Sequence, residues 1–444
     1  MLPLRTTDNN CGAYSLAEEH RADLAPIADR TVRALCAENP DLLVFPHSID
    51  ACRDGSGDSP IFTLRDDSLT TRNTMGFVGR NATQLTISSR FARDDSHDYF
   101  LHYMLQRVFA INIFDFDRTS GPENIWDFLP CMLPHYLKRA CAQGLYKTYR
   151  RTEHNDAGVR GTIDVARHLR TNMPFSGRIA CTTREYSHDN ILTQLVRHTI
   201  EHIASRPGGL SILSSDSATR DAVSLFRSAT QPSYDPRARR KVIAANLRPV
   251  SHPYFTEYRP LQAICLKILH HEGLTFGRHD DRIYGLLFDG AWLWEEYLNT
   301  ILNRDFIHPE NRTGRHRRLL FENFQPIYPD FISRREPATV GDAKYIPLER
   351  QSYAESSERA TSIYYKTITY MYRFRSTRGL LLFPHPETHF EAEYRIKETD
   401  GILRKIGLAI PRHAPDFAAF RDTMSANERS FLASIDAARQ ATNS

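Results

Sequence analysis

The chain has 444 residues, of which 41% are hydrophobic, 11% aromatic and 25% charged. That composition excludes a disordered or fibrous protein and allows two or three folded domains. With 57 basic and 53 acidic residues the net charge is only +4, so charge alone does not announce a nucleic-acid partner. No apolar run approaches the roughly 18 residues that a membrane-spanning helix needs. The start, Met1-Leu2-Pro3-Leu4-Arg5, lacks the charged and apolar stretches of an export signal. A soluble, cytoplasmic protein without a membrane partner is expected.

Seven cysteines, at positions 11, 36, 52, 131, 141, 181 and 265, are odd in number and widely scattered, and none forms a Cys-x-x-Cys pair. A disulfide framework or zinc cluster is not expected. Lysine is scarce, with 8 against 49 arginines, so a lysine with a chemical task should stand out.

In chain order, a helical segment over 18–38 precedes a turn-rich loop over 50–60. Strands follow at 76–79 and 84–88, where Leu85 and Ile87 alternate with polar neighbours. A helix then runs from Phe100 towards Ile111, capped by Ser96 or Asp98. These pieces predict a small α+β domain over 1–118. Residues 119–285 read as mainly helical, with helices at 126–142, 189–203, 218–228 and 260–273. In this stretch Arg237, Arg239, Arg240 and Lys241 form a basic cluster that either meets a phosphate backbone or is a solvated helix face. A third domain is expected over 286–435, with a frayed tail over 436–444. The class expected is mixed α/β, or α+β, in several domains.

The chemistry concentrates between Asp289 and Tyr370. A helix opening at Asp289 carries Ala291, Trp294 and Leu298 on one stripe, with Glu295 and Glu296 at its flank. Three extended segments, 319–324, 327–334 and 339–346, read as a β-meander. The last two hold Pro329-Asp330 and Asp342-Ala343-Lys344 on either side of a turn. In a strand Asp342 and Lys344 share a face. In an antiparallel hairpin centred on Glu336, Asp330 lies opposite Asp342, about 5 Å away. Two carboxylates so placed repel unless a cation lies between them. Oxygen ligands suit Mg²⁺, which is commonly held by one or two carboxylates and a substrate phosphate. Lys344 can then orient or deprotonate an attacking water and offset phosphate charge. A turn one residue longer or shorter would send the acids to opposite faces.

These residues resemble the PD-(D/E)xK nuclease superfamily and, within it, the McrC family, the nuclease subunits of McrBC modification-dependent restriction systems. Arg160-Gly161, Asp164, His168, Asn172 and Phe175, followed by Arg184-Glu185-Tyr186 and Asp189-Asn190, are similar to that family's central signature. Phe77-Val78-Gly79 with Leu85-Thr86-Ile87 resembles its N-terminal strands, so the likeness spans about 75–375. It implies a restriction-endonuclease-like fold, with a central mixed sheet flanked by helices in the third domain. It also implies that Asp330 and Asp342 bind the metal, with Glu295 as the helix acid and Lys344 as the catalytic lysine. Mg²⁺, replaceable by Mn²⁺, would be the cofactor. Double-stranded DNA and a McrB-like AAA+ GTPase ring would be the partners, and the N-terminal and central domains would dock on the ring and stimulate its GTP hydrolysis. The chain has no Gly-Lys dipeptide and so no Walker A loop of its own.

Where the family usually carries a glutamine after the lysine strand, this chain offers Tyr365 or Lys366. The signature residues Arg160, Asp164, Arg184, Glu185 and Asp189 read as a buried salt-bridge network, with no chemistry assigned to them. His385 and His389 have metal-like spacing, but Pro386 bars a helix between them and no metal site is assigned. Two other functions compete: an autonomous repair or recombination nuclease, and a non-catalytic adaptor that regulates an NTPase.

Overall fold

The computed structural model of the chain describes residues 4–12, 14–39, 42–47, 56–81, 83–92, 98–109, 122–270, 283–309, 318–335, 338–346, 348 and 358–440. Part of the loop expected over 50–60, the candidate cap Ser96, and the turn residues Glu336 and Pro337 lie outside these. The chain divides into two compact units, one formed by Met1–Ile125 with Phe276–Ser444, the other by Trp126–Thr275.

In the first unit the expected helix over 18–38 is two helices, Glu18–Leu24 and Val32–Glu38. The break falls where Asp29 takes a positive φ of 58° and Thr31 caps the second helix, accepting the Ala34 N–H. The expected strands are present as Thr74–Arg80 and Thr83–Ser88, and Asp98 accepts the Leu101 N–H at the start of helix Tyr99–Phe109.

A five-stranded sheet has the order Leu4–Thr7, Thr83–Ser88, Thr74–Arg80, Ile283–Asp289, Leu42–Phe45. The strand Ile283–Asp289 therefore belongs inside the N-terminal sheet, antiparallel to Thr74–Arg80 and parallel to Leu42–Phe45. This departs from the boundaries expected at 118 and 285. The physical reason is the run Gly285-Leu286-Leu287-Phe288, which is buried throughout and so suits an inner strand. An inserted segment adds loop-closure entropy only slowly with length, so a long excursion before this strand is tolerated.

A six-stranded mixed sheet has the order Phe306–Ile307, Phe331–Ser333, Thr339–Ala343, Arg378–Pro386, Ile402–Ile410, Phe390–Arg395. Its three central strands are parallel, and Leu380–Phe383 are each at most 1% exposed, as both-face burial requires. The predicted meander is not one sheet. Arg318–Leu319 pairs with Pro326–Ile327 in a separate two-stranded ribbon, while the next two strands join the large sheet. Helix Glu358–Phe374 and the long helix Phe417–Gln440 complete the unit. The second of these overturns the expectation of a frayed tail from 436, since Ile435 and Ala438 are 1% exposed.

The second unit is helical, as expected, around the almost wholly buried helix Ile191–Ala204. Asn190 caps that helix in a reciprocal box with Thr193. The sequence reading missed a three-stranded antiparallel sheet, Thr148–Asp156, Ile179–Ser187 and Thr162–Ile163. Polar-rich strands such as Thr148–Asp156 offer no apolar alternation to find them by. Among the described residues no helix is long and apolar enough to cross a membrane, and Cys11, Cys141, Cys181 and Cys265 are free thiols.

Candidate active site

The strand Ile283–Asp289 runs directly into helix Gly290–Leu302. Asp289 accepts the Ala291 and Trp292 N–H groups at 2.9 and 3.1 Å, closing the helix start. Gly290 donates to the Asn73 carbonyl at 2.6 Å, and a Cβ there would meet the Tyr345 ring at 2.9 Å, so only glycine fits the approach. The buried stripe of this helix is Leu293, Trp294, Tyr297 and Leu298, while Ala291, expected on it, is exposed. Of the two helix acids, Glu295 lies towards the sheet, with an oxygen 3.6 Å from His308 Nε2.

The hairpin register pairs Phe331 with Gly341 and Ile332 with Val340. It is centred on position 336, as the spacing predicted, and its outermost pair, Phe331 with Gly341, is flanked by Asp330 on one side and Asp342 on the other. Asp330 Oδ2 accepts the Ala343 N–H at 2.7 Å, tying the first acid to the second strand. His308 Nδ1 lies 2.7 Å from the Asp330 carbonyl, with its ring 5.2 Å from that of Phe331. Asp342 is fully buried. Lys344 Nζ is in ion-pair contact with Asp342 Oδ2, and Lys366 Nζ is 3.3 Å from Oδ1. Tyr365 is 68% exposed, so of the two candidates on that helix Lys366 is the one that reaches the acids.

The acids act on one another. Burial first, then the charges of Asp330, Glu296 and Asp342, raise the Glu295 carboxyl well above its ordinary range, although a third of its side chain meets solvent, 34%. Burial and then the Asp342 charge push Asp330 up to about 6. For Lys366, burial alone would lower the ammonium's pKa, but the Asp342 and Asp330 charges reverse this and hold it raised. Sequence reasoning missed His308 altogether. Its only signal was a histidine beside the strand Phe306–Ile307, which pairs with the first acid's strand.

Among the described residues no three His, Cys, Asp or Glu side chains form a ready-made metal cage. A two-carboxylate magnesium site does not require one, because water and substrate oxygens fill the remaining positions. The donor set fits such an ion: Asp330 and Asp342 lie close enough for the Asp342 charge to raise the Asp330 carboxyl, and the buried Asp342 Oδ2 has, among the described residues, only the Lys344 ammonium against it, with no hydrogen bond of good geometry. His385 and His389 are spent elsewhere, on Thr388 and on Glu391 with Ser434.

The family model described as McrBC 5-methylcytosine restriction system component matches residues 69–384. The chain belongs to the McrBC family. The likeness to McrC read from the sequence falls within this family. A chain of the refined half-complex from the tetradecameric assembly of Thermococcus gammatolerans McrB AAA+ hexamers with bound McrC is similar at 16% identity and a TM-score of 0.38, over 93% of this chain and 97% of that one. A chain of the McrBC complex from the same organism is similar at 14% identity and a TM-score of 0.29, over 68% and 87%. No curated protein matches.

The McrBC signature in the second unit is not the buried salt-bridge network expected of it. Asp164 instead caps helix Val165–Thr171 through the Arg167 N–H, and it pairs with the exposed Arg151. Arg160 meets Asp156 at 3.6 Å on the surface, and Arg184 lies over the Tyr149 ring. Asp189 is buried, accepting from Gln194 at 2.6 Å and from Ser233. It lines a cleft of about 540 Å³ with Asn246, Gln262 and Lys241. The polar atoms of Gln262 are taken up by Val250, Asn246 and Arg248. In the basic cluster, Arg239 donates to the Leu269 carbonyl, while Arg237, Arg240 and Lys241 are exposed.

Proposed function

We propose that this chain is the DNA-cleaving subunit of a McrBC-type restriction system, hydrolysing phosphodiester bonds at Asp330, Asp342 and Lys344 with Glu295 assisting. The observation that carries the reading is the hairpin register centred on position 336, whose extension by one pair would set Asp330 opposite Asp342, together with the contact of Lys344 with the latter. Membership of the McrBC family supports it independently.

Asp330 and Asp342 would hold a divalent cation, Mg²⁺ with Mn²⁺ as substitute, and Glu295 would complete the acid cluster. A bound cation would withdraw charge from the scissile phosphate. Lys344, a compact ammonium beside the acids, orients the attacking water and offsets charge that develops on the phosphate oxygens. As water attacks phosphorus in line with the leaving oxygen, a P–O bond forms and the P–O3′ bond breaks. The products are a 5′-phosphate and a 3′-hydroxyl. The acids keep their place because the Asp330 side chain accepts the Ala343 N–H and its carbonyl meets His308.

The substrate class would be double-stranded DNA carrying 5-methylcytosine. Energy and part of the recognition would come from a GTP-hydrolysing AAA+ ring, consistent with the absence of any Gly-Lys dipeptide in the chain. The test is a methylated plasmid with Mg²⁺, GTP and the purified ring partner. Linearisation should require all of them and should be lost in Asp342→Asn. Robust cutting by the chain with Mg²⁺ alone would instead make it an autonomous nuclease. Undiminished cutting by Asp342→Asn would leave the chain an adaptor.

A further inference from the structure

Two ammonium groups from separate elements reach one buried aspartate. Lys344 follows the strand Thr339–Ala343 and contacts Asp342 Oδ2, whereas Lys366 comes from helix Glu358–Phe374 and approaches Oδ1 at 3.3 Å. The Lys366 Nζ also lies 5.4 Å from the centre of the Tyr370 ring, one turn further along the helix, and its side chain remains 46% exposed. The glutamine that the family resemblance leads one to expect at this place would donate a hydrogen bond but bring no charge.

Resting on the nuclease reading above, we propose that Lys366 does the work of a second divalent cation, so that this site takes up one metal ion where an uncharged residue at 366 would admit two. The charges argue for it. Without DNA, one divalent ion and the two ammonium groups already exceed the carboxylates of Glu295, Asp330 and Asp342 by one positive charge, and a singly charged phosphodiester brings the sum to zero. A second divalent ion, as in two-metal nucleases, would leave the DNA-free cluster three positive charges in excess, against two in Lys366→Gln, within a region where burial weakens solvent screening. Space argues the same way, because both carboxylate oxygens of Asp342 carry an ammonium group: one ion need displace only Lys344 from Oδ2, whereas a second would also have to displace Lys366 from Oδ1. The Lys366 ammonium is held between two partners, the Tyr370 ring and the Asp342 carboxylate. Lys366 is a positioning residue for the phosphate side of the site, acting through Asp342 and through charge.

The experiment is calorimetric titration of Mn²⁺ into the full-length protein without DNA or nucleotide. The wild type and Lys366→Arg should each bind one ion. Lys366→Gln should bind two, the second within about tenfold of the first in affinity. In the assembled complex, the cleavage rate should rise with the first power of Mg²⁺ concentration in the wild type and with the second power in Lys366→Gln. Two ions in the wild type, or one in both wild type and Lys366→Gln, overturns the proposal and leaves the nuclease reading standing. No uptake by the wild type, or uptake unchanged by Asp342→Asn, overturns both. Circular dichroism melting checks that Lys366→Gln folds; if it does not, a second ion in Lys366→Arg or in the wild type is the overturning result.

Discussion

Trp294 and Lys344 donate to the same oxygen, the carbonyl of Leu382: the indole N–H from 3.3 Å and the Lys344 backbone N–H from 2.8 Å. One residue of the innermost parallel strand therefore fixes both the helix that carries Glu295 and the point where the lysine leaves its strand. The shared acceptor makes the helix and the strand a single rigid frame.

This relationship predicts the behaviour of Trp294→Phe. The ring is fully buried, so the variant loses the indole hydrogen bond and leaves space behind it. A loss of ~2 kcal/mol is expected in urea denaturation followed by tryptophan-independent circular dichroism. Cleavage should fall more than stability alone explains, since Glu295 and Lys344 are no longer referred to one point. A variant with full cleavage and unchanged stability would contradict the shared-frame account.

Removing the lysine should separate chemistry from assembly. Lys344→Ala is expected to lower cleavage by about a hundredfold or more, the range for loss of a positioned proton-transfer or charge-stabilising group. Co-sedimentation with the ring partner should be unaffected, because Lys344 spends its ammonium on Asp342 and the Ala343 carbonyl. Retained cleavage would move the catalytic role elsewhere, and Lys366 would be the first residue to test.

His308 should matter although it carries no charge-relay role. Its ring joins the Asp330 carbonyl at 2.7 Å and the Glu295 carboxylate at 3.6 Å. His308→Ala should weaken Mn²⁺ binding roughly tenfold, a size typical for loss of a group that orients metal-binding side chains. His308→Asn, which can still donate to the carbonyl, should recover part of it. Equal titration curves for wild type and His308→Ala would refute this.

The acid cluster sets a pH dependence of stability. Burial and then the Asp342 charge raise the folded-state Asp330 carboxyl from its ordinary 3.8 to about 6, and Glu295 is raised as well. The folded protein thus keeps a proton that the unfolded chain releases. The stabilisation is complete below pH ~4 and is lost as pH rises through about 6. With Asp330 partly open to solvent, the loss is of order 2 kcal/mol. In EDTA the first unit should melt higher at pH 5 than at pH 7.5. Millimolar Mg²⁺ should raise the melting point at pH 7.5 and not at pH 5, since binding needs the carboxylates charged. Scanning calorimetry at the two pH values decides it, and a metal effect equal at both would count against the cluster.

What the sequence determined by itself is the local order of the site. Two acids spaced twelve apart about a turn-prone centre, with a lysine two residues beyond the second, specify the hairpin register, because side chains in strands alternate and a one-residue slip would bury the wrong face. Most helices were legible too, as apolar residues at helical spacing, in one case behind a capping side chain, Asp98. What only the tertiary structure decided are relationships between segments far apart in the chain. The strand Ile283–Asp289 is not legible in the sequence, where it falls at the border of a stretch that reads as helical, and the sheet that takes it is set by the open edges of Thr74–Arg80 and Leu42–Phe45. Choosing Lys366 over Tyr365, and finding His308 at all, required the packing of the lysine-bearing helix and of a two-residue strand against the acids. Periodicity encodes which face of an element is buried; it carries no record of the partner that buries it, and that partner is chosen by shape and charge after the elements have formed.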